Sequence, residues 1–295
     1  MEHAAAHRTT DGEPKGTLYV VATPIGNLRD IGLRALDVLK QVAMIAAEDT
    51  RVTAKLLNHY GIAARLTALH EHNEIRAAPP LLALLAQGKD VALVSDAGTP
   101  GISDPGARLT SAARAAGYTV TPVPGASSAV AALSVAGMMI PHFLFYGFLP
   151  ARAAERRDTL AGLAPYPFAL VFFEAPHRIV ASVTDMQATL GAARRIVIAR
   201  ELTKMFESIH TCPLGDAADW LNGEDNRRKG EFVLIVEGAA TQAASGEDAQ
   251  RTLEVLLSAL PLKQAVALAT TITGAKRNRL YELALKIKGE HTDEP

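Results

Sequence analysis

The feature that most constrains this chain is an alternation. Short apolar, β-branched runs are each followed by a longer Ala- and Leu-rich stretch. Thr17–Ala22 (TLYVVA), Ala43–Ala47, Arg65–Leu69, Val91–Val94 (VALV) and Tyr118–Val123 read as strands. Leu33–Val42, Thr50–Tyr60, Pro79–Ala86 and a stretch opened by Asp104-Pro105 and closed by Gly117 read as the helices between them. Thr50 stands where an N-cap belongs, and Gly61 where a helix ends. Apolar strands that each feed a helix are satisfied by a parallel sheet with helices on both faces. The fold class expected is therefore α/β.

After about residue 125 the pattern changes. Phe143–Tyr146, Phe168–Phe173, Arg195–Ala199, Met205–His210 and Phe232–Glu237 read as strands, with helices over Arg152–Leu163 and His177–Leu190. More strands and fewer helices predict a mixed sheet. Gly238–Gly246 (GAATQAASG) is small and polar, as linkers are. Beyond it the chain is mainly helical, divided by Pro261. The expected organisation is a flexible N-terminus over 1–16, an α/β domain over 17–125 and a second α/β domain with a mixed sheet over 126–238. A linker over 239–246 and a helical, partly basic C-terminal piece over 247–290 complete it.

Composition narrows the function classes. Among 295 residues there is one cysteine, Cys212, so neither a disulfide framework nor a multi-cysteine metal site is available. No apolar run reaches the roughly 18 residues of a membrane span, and Met1–Gly16 has no signal-peptide core. A cytoplasmic protein is expected. Neither G-x-G-x-x-G nor G-x-x-x-x-G-K-[ST] occurs, which argues against hydride transfer and against a P-loop NTPase. The formal net charge of −1 leaves room only for local basic patches.

Three strand ends carry the chemistry. Ser95–Gly106 (SDAGTPGISDPG) follows VALV and precedes a helix, and ligands of open α/β sheets sit at such carboxyl ends. Its glycines let backbone approach a ligand. Asp96 and Asp104 can accept hydrogen bonds, although Asp104 also reads as a plain helix cap. Ala22–Asp30 (ATPIGNLRD) and Pro122–Ser128 (PVPGASS) are read the same way. There Asp30, Ser127 and Ser128 have capping as the alternative role. His70 and His72 could ligate one ion, but no further ligand has suitable spacing, so no metal is expected.

These segments together make the chain recognisable. LYVVATPIGNLRDI, AAEDTR, HNE, VSDAGTPGISDPG, PVPGASS, FYGFLP, FFEAPHR, RELTKMFE and GEFVLIVEG, spread from Leu18 to Gly238, resemble the tetrapyrrole-methylase superfamily. Within it they resemble the ribosomal RNA small subunit methyltransferase I family. The resemblance implies a two-domain tetrapyrrole-methylase-like (class III methyltransferase) fold with a small helical C-terminal piece. It also implies S-adenosyl-L-methionine as cofactor, 2′-O-methylation of a cytidine ribose in the decoding region of 16S rRNA within the small ribosomal subunit, and a homodimer. The alternatives are a methylase of a tetrapyrrole or corrinoid precursor and a non-catalytic RNA-binding assembly factor.

Methyl transfer from a sulfonium is an in-line displacement, in which orientation can supply about 7–11 kcal/mol. Because the sulfonium charge is lost on the way, neutral loop backbone such as Gly98–Gly101 suits the methionine end. The expected cofactor residues are Pro24, Gly26, Asp96, Gly98, Thr99, Gly101 and Ile102, then Ser127, Ser128 and Ala129 toward the adenosine, and Phe173, Glu174 and Ala175 from the second domain. A ribose hydroxyl needs a base or a cation that stabilises its alkoxide. Glu48, Glu201 and Lys204 are the expected catalytic residues. Arg29, Arg51, Arg178, Lys276, Arg277 and Arg279 are expected to meet RNA, with Arg152, Arg156, Arg157, Arg194 and Arg195 extending the patch. His177 starts a helix or acts as a base.

Overall fold

The computed structural model describes residues 15–240 and 246–290. The N-terminus expected to be flexible, 1–16, and the linker 239–246 lie largely outside them. Gly16 is already tied in, its N–H donating to the Leu85 carbonyl at 2.9 Å. The chain divides into two units, Met1–Gly238 and Ala239–Pro295.

The first unit opens with five parallel strands: β1 (Thr17–Val21), β2 (Met44–Ala47), β3 (Leu66–Ala68), β4 (Val91–Val94) and β5 (Thr119–Val123), in the order β3-β2-β4-β1-β5. Side chains alternate between faces along each strand. On one face Val21, Ile45 and Val94 pack with Leu39 of α1 (Leu33–Gln41) and Leu57 of α2 (Thr50–His59). On the other, Leu18, Ala46 and Leu93 pack with Leu81 and Leu85 of α3 (Glu74–Ala86) and Leu109 of α4 (Ala107–Ala115). All four residues of β4 are buried, as a strand covered on both sides must be.

Five more strands form the second sheet: β6 (Phe143–Phe148), β7 (Ala169–Glu174), β8 (Arg195–Arg200), β9 (Ser208–Pro213) and β10 (Phe232–Val236). The order is β6-β7-β10-β8-β9. Only β6 and β7 run parallel; β10 runs against both β7 and β8, and β9 against β8. One face carries Leu160 of α6 (Ala153–Leu163), Val183 and Met186 of α7 (Ile179–Leu190) and Leu221 of α8 (Leu214–Asn222). The opposite face packs Val171, Val197 and Val233 against Ala132 of α5 (Ser128–Val135) and against Ile25, just beyond β1. That layer joins the two sheets. In the second unit, α9 (Gly246–Ala259), α10 (Leu262–Thr273) and α11 (Arg277–Glu290) bury Leu253, Val266 and Leu280 among themselves. Gly274 ends α10 in the left-handed conformation.

Several boundaries differ from the sequence reading for identifiable reasons. The helix α3 begins at Glu74, not Pro79, so both prolines lie inside it. The strand expected at Met205–His210 starts at Ser208, and α8 was not foreseen. The N-cap of α2 is Asp49, whose carboxylate accepts from Arg51 N, not Thr50. Asp30 caps nothing: it closes a 3-10 turn at Leu28–Asp30, and Gly32 holds the N-cap position of α1. Ser127 holds the N-cap position of α5 but makes no side-chain cap bond. Asp104 does not cap α4. Gly106 holds that position at φ 121°, and the buried Glu74 of α3 accepts from Leu109 N at 3.0 Å, doing the cap's work. Arg156 is not a surface cation. It is 4% exposed and paired with Asp185 at 2.5 Å.

Candidate active site

The carboxyl ends of β1, β2, β4 and β5 open toward the layer that joins the sheets, and a cavity of about 360 Å³ lies there. Cofactor-sized sites span about 300–1,000 Å³. Ile25, Glu48, Asp96–Thr99 and Ser127–Ser128 border it from the first sheet, and Phe148, Phe173–Pro176 and Glu231–Val233 from the second.

The loop after β4 is shaped by its glycines. Gly98 sits at φ 79° and exchanges backbone hydrogen bonds with Thr23 at 2.8 and 3.0 Å, so the loop folds back beside the end of β1. Thr99 donates its hydroxyl to the Ala126 carbonyl, tying the same loop to the turn after β5. Left-handed backbone is uncommon for side-chain-bearing residues and clusters at functional sites. Here Ser103 (φ 65°), Glu201 (52°) and Thr203 (66°) adopt it. Ser103 belongs to the β4–α4 loop, Glu201 and Thr203 to the turn after β8.

One wall of the cavity is acidic. Glu48 accepts from Asp96 N at 3.2 Å, and Asp96 accepts from Asp49 N at 3.0 Å, so the ends of β2 and β4 are cross-linked through carboxylates. Burial pushes Glu48 and Asp96 above their ordinary pKa values, and each is raised further by a neighbouring carboxylate. Asp104 is pushed up to about 6, by burial first and by the Glu48 charge second. Among the described residues no group of His, Cys, Asp and Glu is placed to hold a metal ion. The neutral backbone expected beside the ligand is therefore only part of the lining.

Glu174, at the end of β7, is a different kind of carboxylate. It is 3% exposed and fully engaged. It accepts from Ala175 N at 2.8 Å and from the Ser182 hydroxyl, and it pairs with Arg178 at 2.7 Å. Arg178 also donates to the Leu149 carbonyl. The pair fixes the 175–178 turn against the cavity. Arg178 is thus committed inward, away from the solvent side where RNA was expected to meet it.

Glu201 and Lys204 do not border the cavity; they act on a residue that does. Lys204 Nζ bridges Glu201 at 2.9 Å and Glu231 at 3.0 Å, and Glu231 N donates to Glu201 at 2.9 Å. Burial pushes Glu201 up, but the hydrogen bonds from Lys204 and Glu231 N outweigh it, leaving the carboxyl below its usual value. Burial lowers Lys204, and its bonds to the two carboxylates outweigh that and raise it. A Cβ on Gly26 would lie 2.5 Å from Lys204 Cγ, so the loop after β1 packs directly on this turn. Asn27 N donates to the Thr203 hydroxyl at 3.0 Å, holding the two together.

Of the expected cofactor residues, Asp96, Gly98, Thr99, Ile102, Ser127, Ser128, Phe173, Glu174 and Ala175 border the cavity. Pro24, Gly26, Gly101 and Ala129 stand beside those that do. Glu48 is the one expected catalytic residue on the wall. Arg29 is exposed on the 3-10 turn, and the exposed Arg51 is paired with Asp49 at 2.6 Å. Lys276, Arg277 and Arg279 are exposed in the second unit. Glu231 and Phe232 stand at the start of a strand, where the rule that ligands sit at strand ends gives no signal. Since β10 runs antiparallel, its first residues lie beside the last of β7 and β8: Phe232 pairs with Glu174 and with Arg200. The Gly230-Glu231 step before an apolar run was the available signal.

Comparison with known proteins follows the same lines. Residues 17–218 match the family model described as Tetrapyrrole (Corrin/Porphyrin) Methylases, and residues 243–288 match the RsmI C-terminal HTH domain. The chain is 51% identical over 284 residues to the Ribosomal RNA small subunit methyltransferase I of Escherichia coli O157:H7, covering 96% of this chain and 99% of that one. It is 50% identical over 280 residues to the protein of that name from Pseudomonas aeruginosa, covering 93% and 99%. Two solved structures share the fold. Uroporphyrin-III-C-methyltransferase from Thermus thermophilus has a TM-score of 0.54 at 20% identity, covering 76% of this chain and 94% of that one. The methyltransferase CobJ has a TM-score of 0.58 at 22% identity, covering 77% and 96%.

Proposed function

From the premise that this chain belongs to the ribosomal RNA small subunit methyltransferase I family of the tetrapyrrole methylases, we propose that it methylates the 2′-hydroxyl of a cytidine ribose in the decoding region of 16S rRNA. The observation that carries the reading is the cavity at the carboxyl ends of the first sheet, bordered by both sheets and acidic on one wall.

S-adenosyl-L-methionine supplies an electrophilic methyl group on a sulfonium. The chain's residues suit such a cationic donor. Gly98 and Thr99 offer close-approach backbone, Ser127 and Ser128 offer hydroxyls, and Phe148 and Phe173 offer apolar surface. Glu48, Asp96 and Asp104 favour a cation over the neutral product left after transfer. Their raised pKa values mark carboxylates short of solvent, which a cation relieves.

Glu48 takes the hydroxyl proton. Its pKa is raised toward the working range, which suits a general base. Lys204, braced by Glu201, holds Glu231 at the opposite rim, where it orients the ribose. The active form is a homodimer in the cytoplasm, acting on small subunits with no metal required.

Calorimetry tests the cavity assignment. S-adenosyl-L-methionine should bind the wild type more tightly than S-adenosylhomocysteine, and Asp96→Ala should weaken the methyl donor at least tenfold. Equal affinity for donor and product, or an unaffected Asp96→Ala variant, would remove the acidic wall from the account.

A further inference from the structure

Beside the cavity lies a second, shallower groove of about 450 Å³, bordered by Pro176, His177, Val180, Asp225, Arg228 and Lys229. Pro176 borders the cavity as well, so the two lie on either side of one residue. We propose that this groove is a phosphate subsite: His177, Arg228 and Lys229 hold an RNA backbone phosphate flanking the nucleotide whose ribose enters the cavity. The inference rests on the RNA-methylating reading given above and names the part of the substrate that reading leaves unplaced.

Charge separates the two spaces. The cavity wall carries Glu48, Asp96 and Asp104, with Glu231 at its edge, and it repels a phosphodiester. A nucleoside entering it must leave both its phosphates outside. Arg228 and Lys229 border the adjoining groove, and neither is tied to a carboxylate that lines the cavity, as Lys204 and Arg178 are. Glu231, which borders the cavity, follows Lys229 by two residues, at most about 7 Å along extended chain. One short stretch therefore spans both spaces.

The cationic segment is built into the fold. Arg200 donates to the carbonyls of Asn226 and Lys229 at 3.0 and 3.1 Å, pinning the segment to β8. Arg227 is consumed in anchoring it: it donates to the Trp220 carbonyl at 3.0 Å, lies 4.8 Å from the Trp220 ring centroid and pairs with Glu224. Arg228 and Lys229 are left facing outward. Arg228 pairs with Asp225, whose side chain is 84% exposed. Such a pair is weak and exchanges readily for a phosphate, to which the guanidinium can bind through two N–H groups. Among the described residues, Lys229 Nζ hydrogen-bonds only to the Asn226 side-chain oxygen, at 3.3 Å. His177, within the turn braced by Glu174, adds an imidazole to the same groove.

The test is an Arg228→Ala/Lys229→Ala double variant, with His177→Gln alongside. Its affinity for a single-stranded RNA carrying the target sequence, measured by fluorescence anisotropy at several salt concentrations, should fall at least tenfold. The slope of log affinity against log salt should become shallower by about 0.7, the contribution of one phosphate on a single strand. The KM for small subunits should rise, with calorimetric affinity for S-adenosyl-L-methionine unchanged. Unchanged RNA affinity and salt slope overturn the subsite, whatever the activity. If the wild type transfers no methyl to RNA while the variant still shows the affinity loss, the subsite stands and the methylation reading falls.

Discussion

Replacing Asp104 by Asn tests whether the acidic wall is held against its own repulsion. In the folded chain this carboxyl titrates at about 6, against 3.8 for an unperturbed aspartate, because it is half-buried and faces Glu48. Between those values the folded state holds the proton more tightly than the unfolded chain. Stability therefore falls as pH rises from about 4 to 6, and the full cost is present above about pH 7. Two units correspond to about 3 kcal/mol at 1.36 per unit. The group keeps substantial contact with solvent, which reduces the figure to about 1 kcal/mol. Asp104→Asn removes the charge at nearly constant shape. Urea unfolding at pH 8 should show the variant more stable by about 1 kcal/mol, a midpoint gain of about 0.3 M at a slope near 3 kcal/mol/M. At pH 4 the two proteins should coincide. The same variant should bind S-adenosyl-L-methionine more weakly at pH 8, since stability and affinity draw on one charge in opposite directions. A destabilised variant, or a difference that does not change with pH, would refute the reasoning.

Three further outcomes follow from the geometry. Lys204→Met leaves Glu201 and Glu231 facing each other without a cation; turnover should fall more than tenfold with cofactor affinity retained, read by steady-state kinetics and calorimetry. Gly26→Val forces a side chain into Lys204 and to within 3.0 Å of the Leu202 carbonyl; it should lower turnover comparably, and a fully active variant would separate the β1 loop from the Glu201–Lys204 turn. Arg156→Met leaves the Asp185 carboxylate only its longer pair with the half-exposed Arg157, at 3.3 Å, costing about 3 kcal/mol in urea unfolding, the lower end for breaking a buried pair; its folded fraction should bind cofactor normally, and a loss below 1 kcal/mol would contradict the pair's burial.

Much of the architecture was legible because parallel sheets write a plain pattern. Val91–Val94 was bounded correctly from its apolar run alone, and β1, β2, β8 and β10 to within one residue at either end. Caps were less legible. Asp104-Pro105 is a strong local signal for a helix start, yet Glu74, thirty-five positions from Leu109, supplies the bond through space. That leaves Asp104 for the cavity, a reassignment no local rule contains. Pro79-Pro80 misled in the same way, since the helix that begins at Glu74 takes both prolines into its interior. Arg156 reads as surface because arginine is seldom buried. Only the packing of α6 on α7 brings Asp185 to it. Glu231 was hidden by strand direction, since a single sequence does not say that β10 runs against its neighbours.

The central claim is the acceptor. Small subunits purified from cells lacking this activity, naked 16S rRNA and a porphyrinogen should each be offered tritiated S-adenosyl-L-methionine with the purified protein, and the labelled RNA then subjected to alkaline cleavage. Label is expected in the RNA of the small subunit at one cytidine, in a linkage that resists alkali because its 2′-oxygen carries the methyl group. Label in the porphyrinogen alone, or label in RNA at a position that alkali still cleaves, would contradict it.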